Sequence, residues 1–372
     1  MTETAPPRYS DRRLRAAEAS VIVSATLLVI GALWMGRELF VPVSLAVIVA
    51  TVLRPAVQAL QRLRVPAPAA ATIVVVAMLA LLVGAGAALQ QPVRGMTDDL
   101  PKNIAAARAK FDELAARVRG ITGGARAPSS TDATGGAARR DTSASRGTDA
   151  TQRQATPPIP PETALRNAFG VTSALAAEIV EEVLLVLFLL AAGGAWTAKL
   201  ARIAASPERA RRWTSVAGEM HDVVARYLLV TLYINIGQAI VIGLAVWAIG
   251  LPSPVLWGVL TFVAEFIPYL GGLTMVALLL LAGLTADQGL AQALLAPAAY
   301  LIVTTVQNNL ISPVAYGRGL RLNPTAILIS VMFWWMIWGV AGAFVAVPIL
   351  ASLRVLGSHV PGLTPLCVLL EE

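Results

Sequence analysis

The chain has very few of the residues that build disulfide frameworks and metal sites. Its 372 residues include one cysteine, Cys367, and two histidines, His221 and His359. A disulfide framework needs paired cysteines, and a cysteine/histidine metal site needs several such ligands close together. The sequence therefore predicts no disulfide, no metal and no cofactor. His221, with no second histidine nearby, is expected to be an ordinary residue on the polar face of a helix.

The motifs of ATP-driven pumps and membrane proteases are also missing. A phosphate-binding loop needs Gly-Lys-Ser/Thr, and none of the three lysines follows a glycine. An intramembrane metalloprotease needs His-Glu-x-x-His, which does not occur. A membrane serine protease needs a histidine within its helices, whereas both histidines fall at the edges of apolar segments. We predict that the protein is not an enzyme and has no catalytic residues.

Charge is scarce, at 14% of residues, whereas soluble domains carry about 25%. Hydrophobic residues make up 56% and the mean hydropathy is +0.69. Several uncharged runs exceed the roughly 18 residues that mark a membrane helix. The net charge of +7 lies between these runs and not on one folded face, so no nucleic-acid partner is predicted. The composition predicts an all-α polytopic membrane protein in contact with the lipid bilayer.

The first quarter of the chain sets the predicted topology. Residues 1–18 hold four arginines before the first apolar run, and the positive-inside rule places this amino terminus in the cytoplasm. Residues 19–93 are predicted to form three transmembrane helices, which take the chain to the outside.

The middle of the chain is predicted to form an extracytoplasmic insertion and a return helix. Residues 94–170 are the only sizeable polar region, and the stretch 122–161 has almost no large apolar residues. Such a stretch cannot bury enough surface to offset its ordering entropy, so we expect it to be disordered. Residues 171–197 predict a fourth transmembrane helix. Residues 198–226, with a capping sequence at Ser206-Pro207-Glu208, predict a cytoplasmic amphipathic helix on the membrane surface.

Residues 227–356 are predicted to be a transport core with the order helix, hairpin, helix, hairpin. Only four formal charges occur between residues 226 and 354, namely Glu265, Asp287, Arg318 and Arg321. The octapeptide Glu265–Gly272 combines a carboxylate with a proline and two glycines. Broken backbone at membrane depth survives only where it is buried in protein or lines a cavity. We therefore predict a re-entrant hairpin with arms at about 255–267 and 269–285.

A second break is expected in 324–354, which is interrupted at Gly339 and Gly342 and has Pro348 in its second arm. If both hairpins return to their own side, every basic loop and the tail 357–372 lie in the cytoplasm. Inverted repeats with discontinuous helices indicate a substrate site at the membrane midplane. The alternative is that glycine and proline merely kink continuous helices.

Two kinds of polar residue interrupt this apolar core. Glu265 is its only carboxylate, and an ionisable group within a membrane is a functional hypothesis by default. The alternative is that Glu265 faces the interface or has a structural partner. The amides Asn235, Gln238, Gln307, Asn308 and Asn309 could line a polar path, or they could form hydrogen bonds between helices.

A set of short motifs follows one another from Arg226 to the end of the core. They are the Gln238 helix, Gly-Leu-Pro at 250–252, Phe-Ile-Pro-Tyr-Leu-Gly at 266–271, Gln307, the segment 313–319, Leu322-Asn323-Pro324, Gly339, Gly342 and Ala346-Val347-Pro348. In this order and spacing the chain resembles the autoinducer-2 exporter (AI-2E) family of bacterial membrane proteins. The chain departs from the family pattern at Gly272, where members often carry proline, and in having no acidic residue near Asn308.

The resemblance implies about eight membrane segments, two of them the broken or re-entrant hairpins, a cytoplasmic amino terminus and a homo-oligomer; it alone suggests a pentamer. Together with the residues above, it gives the candidates for a substrate or ion path. They are Glu265, Pro268, Tyr269, Gly271, Gly272, Asn235, Gln238, Gln307, Asn308, Asn309, Asn323, Pro324, Gly339, Gly342 and Pro348.

The function predicted from these observations is that of a multi-pass transporter in a bacterial inner membrane. It would export a small polar solute by alternating access, and the solute could be a signalling molecule such as autoinducer-2. Exchange coupled to protons or sodium is a second form of the same prediction. The alternatives are a passive channel through an oligomer, and a scaffold or receptor whose extracytoplasmic insertion binds a partner.

Overall fold

The computed structural model describes residues 9–122, 161–193, 206–285, 290–317 and 322–360, and residues 362 and 370 of the tail. Every regular element in these ranges is a helix. The interior of the predicted disordered stretch 122–161 and the first part of the predicted helix 198–226 lie outside the described residues.

The helices are named in chain order. They are α1 (Tyr9–Met35), α2 (Arg37–Arg62), α3 (Ala67–Thr122), α4 (Pro161–Ala192), α5 (Pro207–Ile249), α6 (Pro254–Ala264), α7 (Leu270–Thr285), α8 (Leu290–Ala293), α9 (Leu295–Val306), a π-helical segment (Gln307–Ile311), α10 (Ser312–Tyr316) and α11 (Pro324–His359).

Five ranges among the described residues are long and apolar enough to cross a membrane. They are Arg37–Arg62, Ala67–Gly95, Pro207–Ile249, Ala291–Tyr316 and Pro324–His359. Three further apolar helices are shorter than a full span, namely Ser20–Met35, Pro254–Ala264 and Leu270–Leu284. The chain is therefore an all-α membrane protein, as its composition predicts.

The chain divides into two compact units. The larger unit comprises residues 1–104 and 180–372 and contains the hairpins; the smaller comprises residues 105–179, with the end of α3 and the start of α4. Two predicted boundaries differ from the helices. α3 continues past residue 94 to Thr122, and α5 runs unbroken past residue 226, so no separate interfacial helix ends there. α3 continues through Pro92, Gly95 and Pro101, whereas no glycine or proline lies within seven residues of Arg226.

The start and end of α5 follow the local sequence. Ser206 caps the helix by accepting a hydrogen bond from the Arg209 N–H at 3.3 Å, and Pro207 occupies the first turn, where its missing N–H costs nothing. The capping signal predicted at this position is confirmed. Gly250 ends the helix with φ of +84°, a left-handed conformation that glycine adopts without strain.

The first hairpin consists of α6 and α7, joined by the turn Glu265–Tyr269. Its arms meet closely at Gly271, where an added Cβ would lie 1.9 Å from the carbonyl oxygen of Ala264. Tyr269 in the turn has φ of +64°, a conformation rare for a bulky residue. A break in the helix at Pro268, predicted from proline and glycine, is therefore present.

The second hairpin lies within α11, which is non-helical at Gly339, with φ of +63° and ψ of −139°. The Ser330 hydroxyl donates a hydrogen bond to the carbonyl oxygen of Ala346, at 3.1 Å. In a continuous helix these two residues would be about 24 Å apart. Because they are in contact, the chain folds back on itself, and the alternative of a merely kinked helix is wrong for this segment.

The two hairpins pack around α5, which contacts α6, α9 and α11. The first hairpin and α9 share a core with α5 that includes Ile242, Trp257, Met275, Leu279 and Tyr300. The hairpins also touch each other, since the rings of Phe266 and Phe344 have centroids 5.2 Å apart. This packing brings the two breaks in the backbone to the same region of the larger unit.

Gly342 generates a testable prediction about the second hairpin. A Cβ at this position would lie 1.9 Å from the carbonyl oxygen of Trp334, and backbone cannot move aside as a flexible side chain can. We expect Gly342→Ala to lower stability by about 1–3 kcal/mol, measured as a lower thermal unfolding midpoint of the purified protein in detergent. Gly237→Ala is the matched control, since its Cβ would meet no atom within 4 Å. Equal midpoints for both variants would contradict the close approach.

Candidate functional site

A cavity of about 630 Å³ opens between α5, the tip of the first hairpin, the π-helical segment and the start of α11. Eight of the predicted path residues line it: Asn235, Glu265, Pro268, Tyr269, Gly272, Gln307, Asn308 and Pro324. The lining also includes polar residues that were not predicted, namely Tyr227, Thr231, Thr304, Ser312 and Tyr316, and the apolar residues Leu322, Ile327 and Val347. The cavity thus has polar groups on several sides of an otherwise apolar region.

One face of α5 supplies a row of polar side chains. Thr231, Asn235 and Gln238 follow one another at steps of four and three residues, the spacing that places side chains on the same side of a helix. All three are buried, with exposed fractions of 5%, 2% and 4%. The Thr231 and Tyr316 hydroxyls lie 2.8 Å apart, and the Tyr316 ring stacks on that of Tyr227.

Glu265 is held at the end of α6 by two other helices. Its Oε1 accepts a hydrogen bond from Gln238 Nε2 of α5 at 3.0 Å and another from the Tyr300 hydroxyl of α9. Gln238 Nε2 also donates to Thr304 Oγ1 at 3.1 Å. Glu265 therefore has structural partners, as one of the two sequence interpretations proposes, and it lines the cavity as well.

Two buried amides on the cavity wall have atoms without a hydrogen-bond partner among the described residues. They are Nδ2 of Asn235, a donor, and Oε1 of Gln307, an acceptor; Oε1 of Gln238, behind the wall, is a third such atom. An unsatisfied buried polar group costs about 1–3 kcal/mol, and native proteins retain few of them. These atoms have almost no accessible surface, so a ligand in the cavity would reach them only after the side chains rotate.

The π-helical segment contains two neighbouring asparagines with different contacts. Both are exposed, but Asn308 lines the cavity, whereas Nδ2 of Asn309 donates to the Thr305 carbonyl oxygen of its own helix at 2.8 Å. Gln307, at the start of the segment, is buried. Wide turns of this kind occur mostly at functional sites, because they change which side chains a helix presents to one side.

Tyr269 connects the two hairpins at the mouth of the cavity. Its hydroxyl donates to the Pro324 carbonyl oxygen at 3.3 Å, while its backbone is in the left-handed region. Strained residues of this kind cluster at ligand sites and switch regions. The neighbouring Asn323 caps α11 by accepting from the Thr325 N–H at 2.9 Å, so its side chain serves the helix and not the cavity.

The remaining predicted residues have other positions. Gly271 and Gly339 shape the hairpins through their backbones, as does Gly342. Pro348 lines a different cavity, between α2, α5 and the second arm of α11. The unpredicted Tyr227 and Thr231 precede Asn235 at steps of four residues, and this spacing is the sequence signal that could have found them.

Comparison with known proteins identifies the family. The model of the family described as AI-2E family transporter matches residues 23–361. The chain belongs to the AI-2E transporter family. This AI-2E member is 26% identical to the AI-2 transport protein TqsA of Escherichia coli (strain K12) over 362 residues, which are 95% of each chain. It is also 26% identical to the putative transport protein YrrI of Bacillus subtilis (strain 168) over 149 residues, 40% of this chain and 42% of that protein.

A third relative is the putative transport protein MT0215 of Mycobacterium tuberculosis (strain CDC 1551 / Oshkosh), 25% identical over 188 residues and half of each chain. Membership of the AI-2E family shows that this chain is a membrane transport protein and not an enzyme, and it confirms the resemblance found in the sequence.

Within the ranges that the structure describes, no group of three or more His, Cys, Asp or Glu residues could hold a metal.

Asn235 and Gln238 lie one turn apart on α5, and their substitution should affect stability differently, because Nδ2 of Asn235 has no hydrogen-bond partner among the described residues. Asn235→Leu removes an unsatisfied donor and keeps the same branching of side-chain heavy atoms, so we expect stability to stay unchanged or to rise by about 1 kcal/mol. Gln238→Leu removes the hydrogen bonds to Glu265 and Thr304, so we expect a loss of about 1–3 kcal/mol. Unfolding midpoints in detergent compare the two. An equally large loss for Asn235→Leu would show that its amide has a partner in the empty protein.

Proposed function

We propose that the cavity is the solute site of a secondary transporter that moves a small polar solute across a bacterial inner membrane. The observation that carries this proposal is the cavity wall, where the Glu265 carboxylate and the amides of Asn235, Gln307 and Asn308 lie together in an otherwise apolar region. A solute with both hydrogen-bond donors and acceptors would match these groups, because amides offer both and a carboxylate accepts. The relative TqsA is named for AI-2, so a small signalling molecule of that kind is the first solute to test here.

The proposal includes coupling to a cation gradient through Glu265. It is the only carboxylate among the residues that line the cavity, and Gln238 and Tyr300 fix its Oε1. An ionisable group at membrane depth commonly marks an ion or proton pathway. A proton or a sodium ion bound at Glu265 would neutralise a charge that is costly in an apolar region.

The proposed transport cycle is alternating access, with the two hairpins as the moving elements. Their mutual contacts are Phe266 against Phe344, Ile267 against Val331, Ala343 and Ala346, and the Tyr269 hydroxyl on the Pro324 carbonyl. If these contacts break and others form between the hairpins, the cavity would open to the other side of the membrane while α5 remains fixed. Transporters with discontinuous helices in inverted repeats use this type of movement.

The proposed membrane arrangement has eight segments and a cytoplasmic amino terminus, and the two hairpins enter from opposite faces. Its support is that α6 and α7 are each shorter than a full span and that α11 folds back at Gly339. We also propose export as the direction and a homo-oligomer, for which the family resemblance suggests a pentamer.

Neighbouring asparagines provide the sharpest test of the solute site. Asn308→Ala should reduce solute flux about two- to tenfold, because one lost hydrogen bond to the solute is worth about 0.5–1.5 kcal/mol. Asn309→Ala should leave the flux unchanged, since that side chain does not line the cavity. The measurement is uptake into inverted membrane vesicles, screened first over candidate solutes with wild-type protein. Equal effects of the two substitutions would contradict the assignment of the cavity.

The same vesicles separate the proposed function from its alternatives. Saturable flux that depends on an imposed proton or sodium gradient, and that Glu265→Gln makes independent of the gradient, supports coupled transport. Unsaturated flux that no gradient changes would show a passive channel. Deletion of residues 122–161 should leave the flux intact; a complete loss in correctly inserted protein would favour a receptor or scaffold whose insertion is the functional module.

Single cysteines test the membrane arrangement in a Cys367→Ser background. An impermeant maleimide added from the periplasmic side should label Pro252→Cys, in the exposed α5–α6 connection, and should not label Leu63→Cys, between α2 and α3. Ser358→Cys, near the end of α11, should behave like Leu63→Cys if the second hairpin returns to the cytoplasm. Labelling of Ser358→Cys from the periplasmic side would show that α11 crosses the membrane.

A further inference from the structure

Two further cavities lie away from the solute cavity and share no lining residue with it. One, of about 230 Å³, is lined by polar residues of α2, by the end of α4 and by His221. The other, of about 380 Å³, is an apolar groove between α2, α5 and the second arm of α11. Val47, Thr51 and His221 line both, so the polar cavity continues directly into the groove.

The polar cavity contains a cation, Arg54, that has no salt bridge within the part of the chain that the structure describes. Arg54 is half-buried, and its Nη1 donates to His221 Nε2 at 2.9 Å. Arginine can only donate, so His221 accepts at Nε2 and adds no negative charge. Among the described residues no carboxylate forms an ion pair with Arg54. The side chains of Gln58 and Gln61 also line the cavity and offer further N–H donors.

The groove is suited to a hydrocarbon chain. Its wall includes Val43, Val345, Pro348, Ile349 and Leu356. Its few polar groups are the hydroxyls of Ser44, Thr51 and Ser352 and the ring of His221, which bonds to Arg54. From Val43 to Thr51 it follows α2 for about 12 Å, at 1.5 Å per residue. Val43 and Val47 remain 38% and 45% exposed, so an apolar occupant would cover surface that the described protein leaves open.

We propose that the polar cavity and the groove together bind an anionic phospholipid. The phosphate would lie on Arg54, with N–H groups of Gln58 and Gln61 as additional donors, and one acyl chain would lie in the groove. Basic pockets between membrane helices on the cytoplasmic side bind such headgroups, and α2 ends at the predicted cytoplasmic arginines Arg62 and Arg64. A soluble phosphate would satisfy the arginine but would leave the groove empty, so the two connected cavities favour a lipid.

Native mass spectrometry of the full-length protein in detergent tests the site. The probes are phosphatidylglycerol and phosphatidylcholine with the same acyl chains, and glycerol phosphate as a competitor. We expect a preference for phosphatidylglycerol that falls about fivefold in Arg54→Gln. Arg54→Lys, which keeps the charge, should retain most of the preference. Arg62→Gln is the matched control, because it removes the same charge from the exposed end of α2 and should change nothing.

Ser44→Phe tests the groove separately, since Ser44 lines the groove and not the polar cavity. A phenyl ring there should displace the acyl chain and lower phosphatidylglycerol binding although Arg54 is intact. The proposal is wrong if Arg54→Gln binds phosphatidylglycerol as wild type does, if Ser44→Phe has no effect, or if glycerol phosphate competes as well as the lipid. The last result would identify a free-anion site.

Discussion

Glu265 is a carboxylate in the least charged part of the chain, so it needs polar partners. The hydrogen bonds to these partners fix how the central helices pack. Glu265 ends the first arm of a hairpin, and hydrogen bonds from Gln238 and Tyr300 tie it to α5 and α9. Hydrogen bonds to a charged group are worth about 1.5–3 kcal/mol each, so these contacts hold the three helices together in the described conformation. The cavity opens beside this junction and takes its polar wall from the same elements.

A steric requirement of the same kind shapes both hairpins. Gly271 and Gly342 each approach a carbonyl oxygen so closely that a Cβ would lie 1.9 Å from it. In each case the oxygen belongs to the preceding arm, at Ala264 or Trp334, so the glycine lets the backbones touch just after the turn. The same kind of contact in both hairpins is expected if they are copies of one structural unit. Small residues generally allow membrane helices to pack closely.

The sequence predicts the parts of this arrangement that are local and misses those that depend on distant partners. Proline and glycine chemistry predicts both breaks, because it acts within a few residues. It cannot predict Tyr300 as a partner of Glu265, since the two are 35 residues apart and Tyr300 lies in an apolar run. The sequence likewise predicts His221 as an ordinary polar-face residue and cannot predict its hydrogen bond with Arg54, because the two are 167 positions apart. The π-helical segment, which contains Asn308 and Asn309, has no sequence signal of its own.

The second arm of α11 connects the two proposed binding sites physically. Val347 lines the solute cavity, whereas Val345 and Pro348 line the groove beside α2. These residues occupy neighbouring positions on different faces of one helix, so a movement of the arm that reshapes one site also changes the other. If the arm moves during transport, a lipid that prefers one of its positions must favour solute binding in that position, and the solute must favour the lipid by the same factor. The break at Gly339 thus allows one short arm of α11 to line both surfaces.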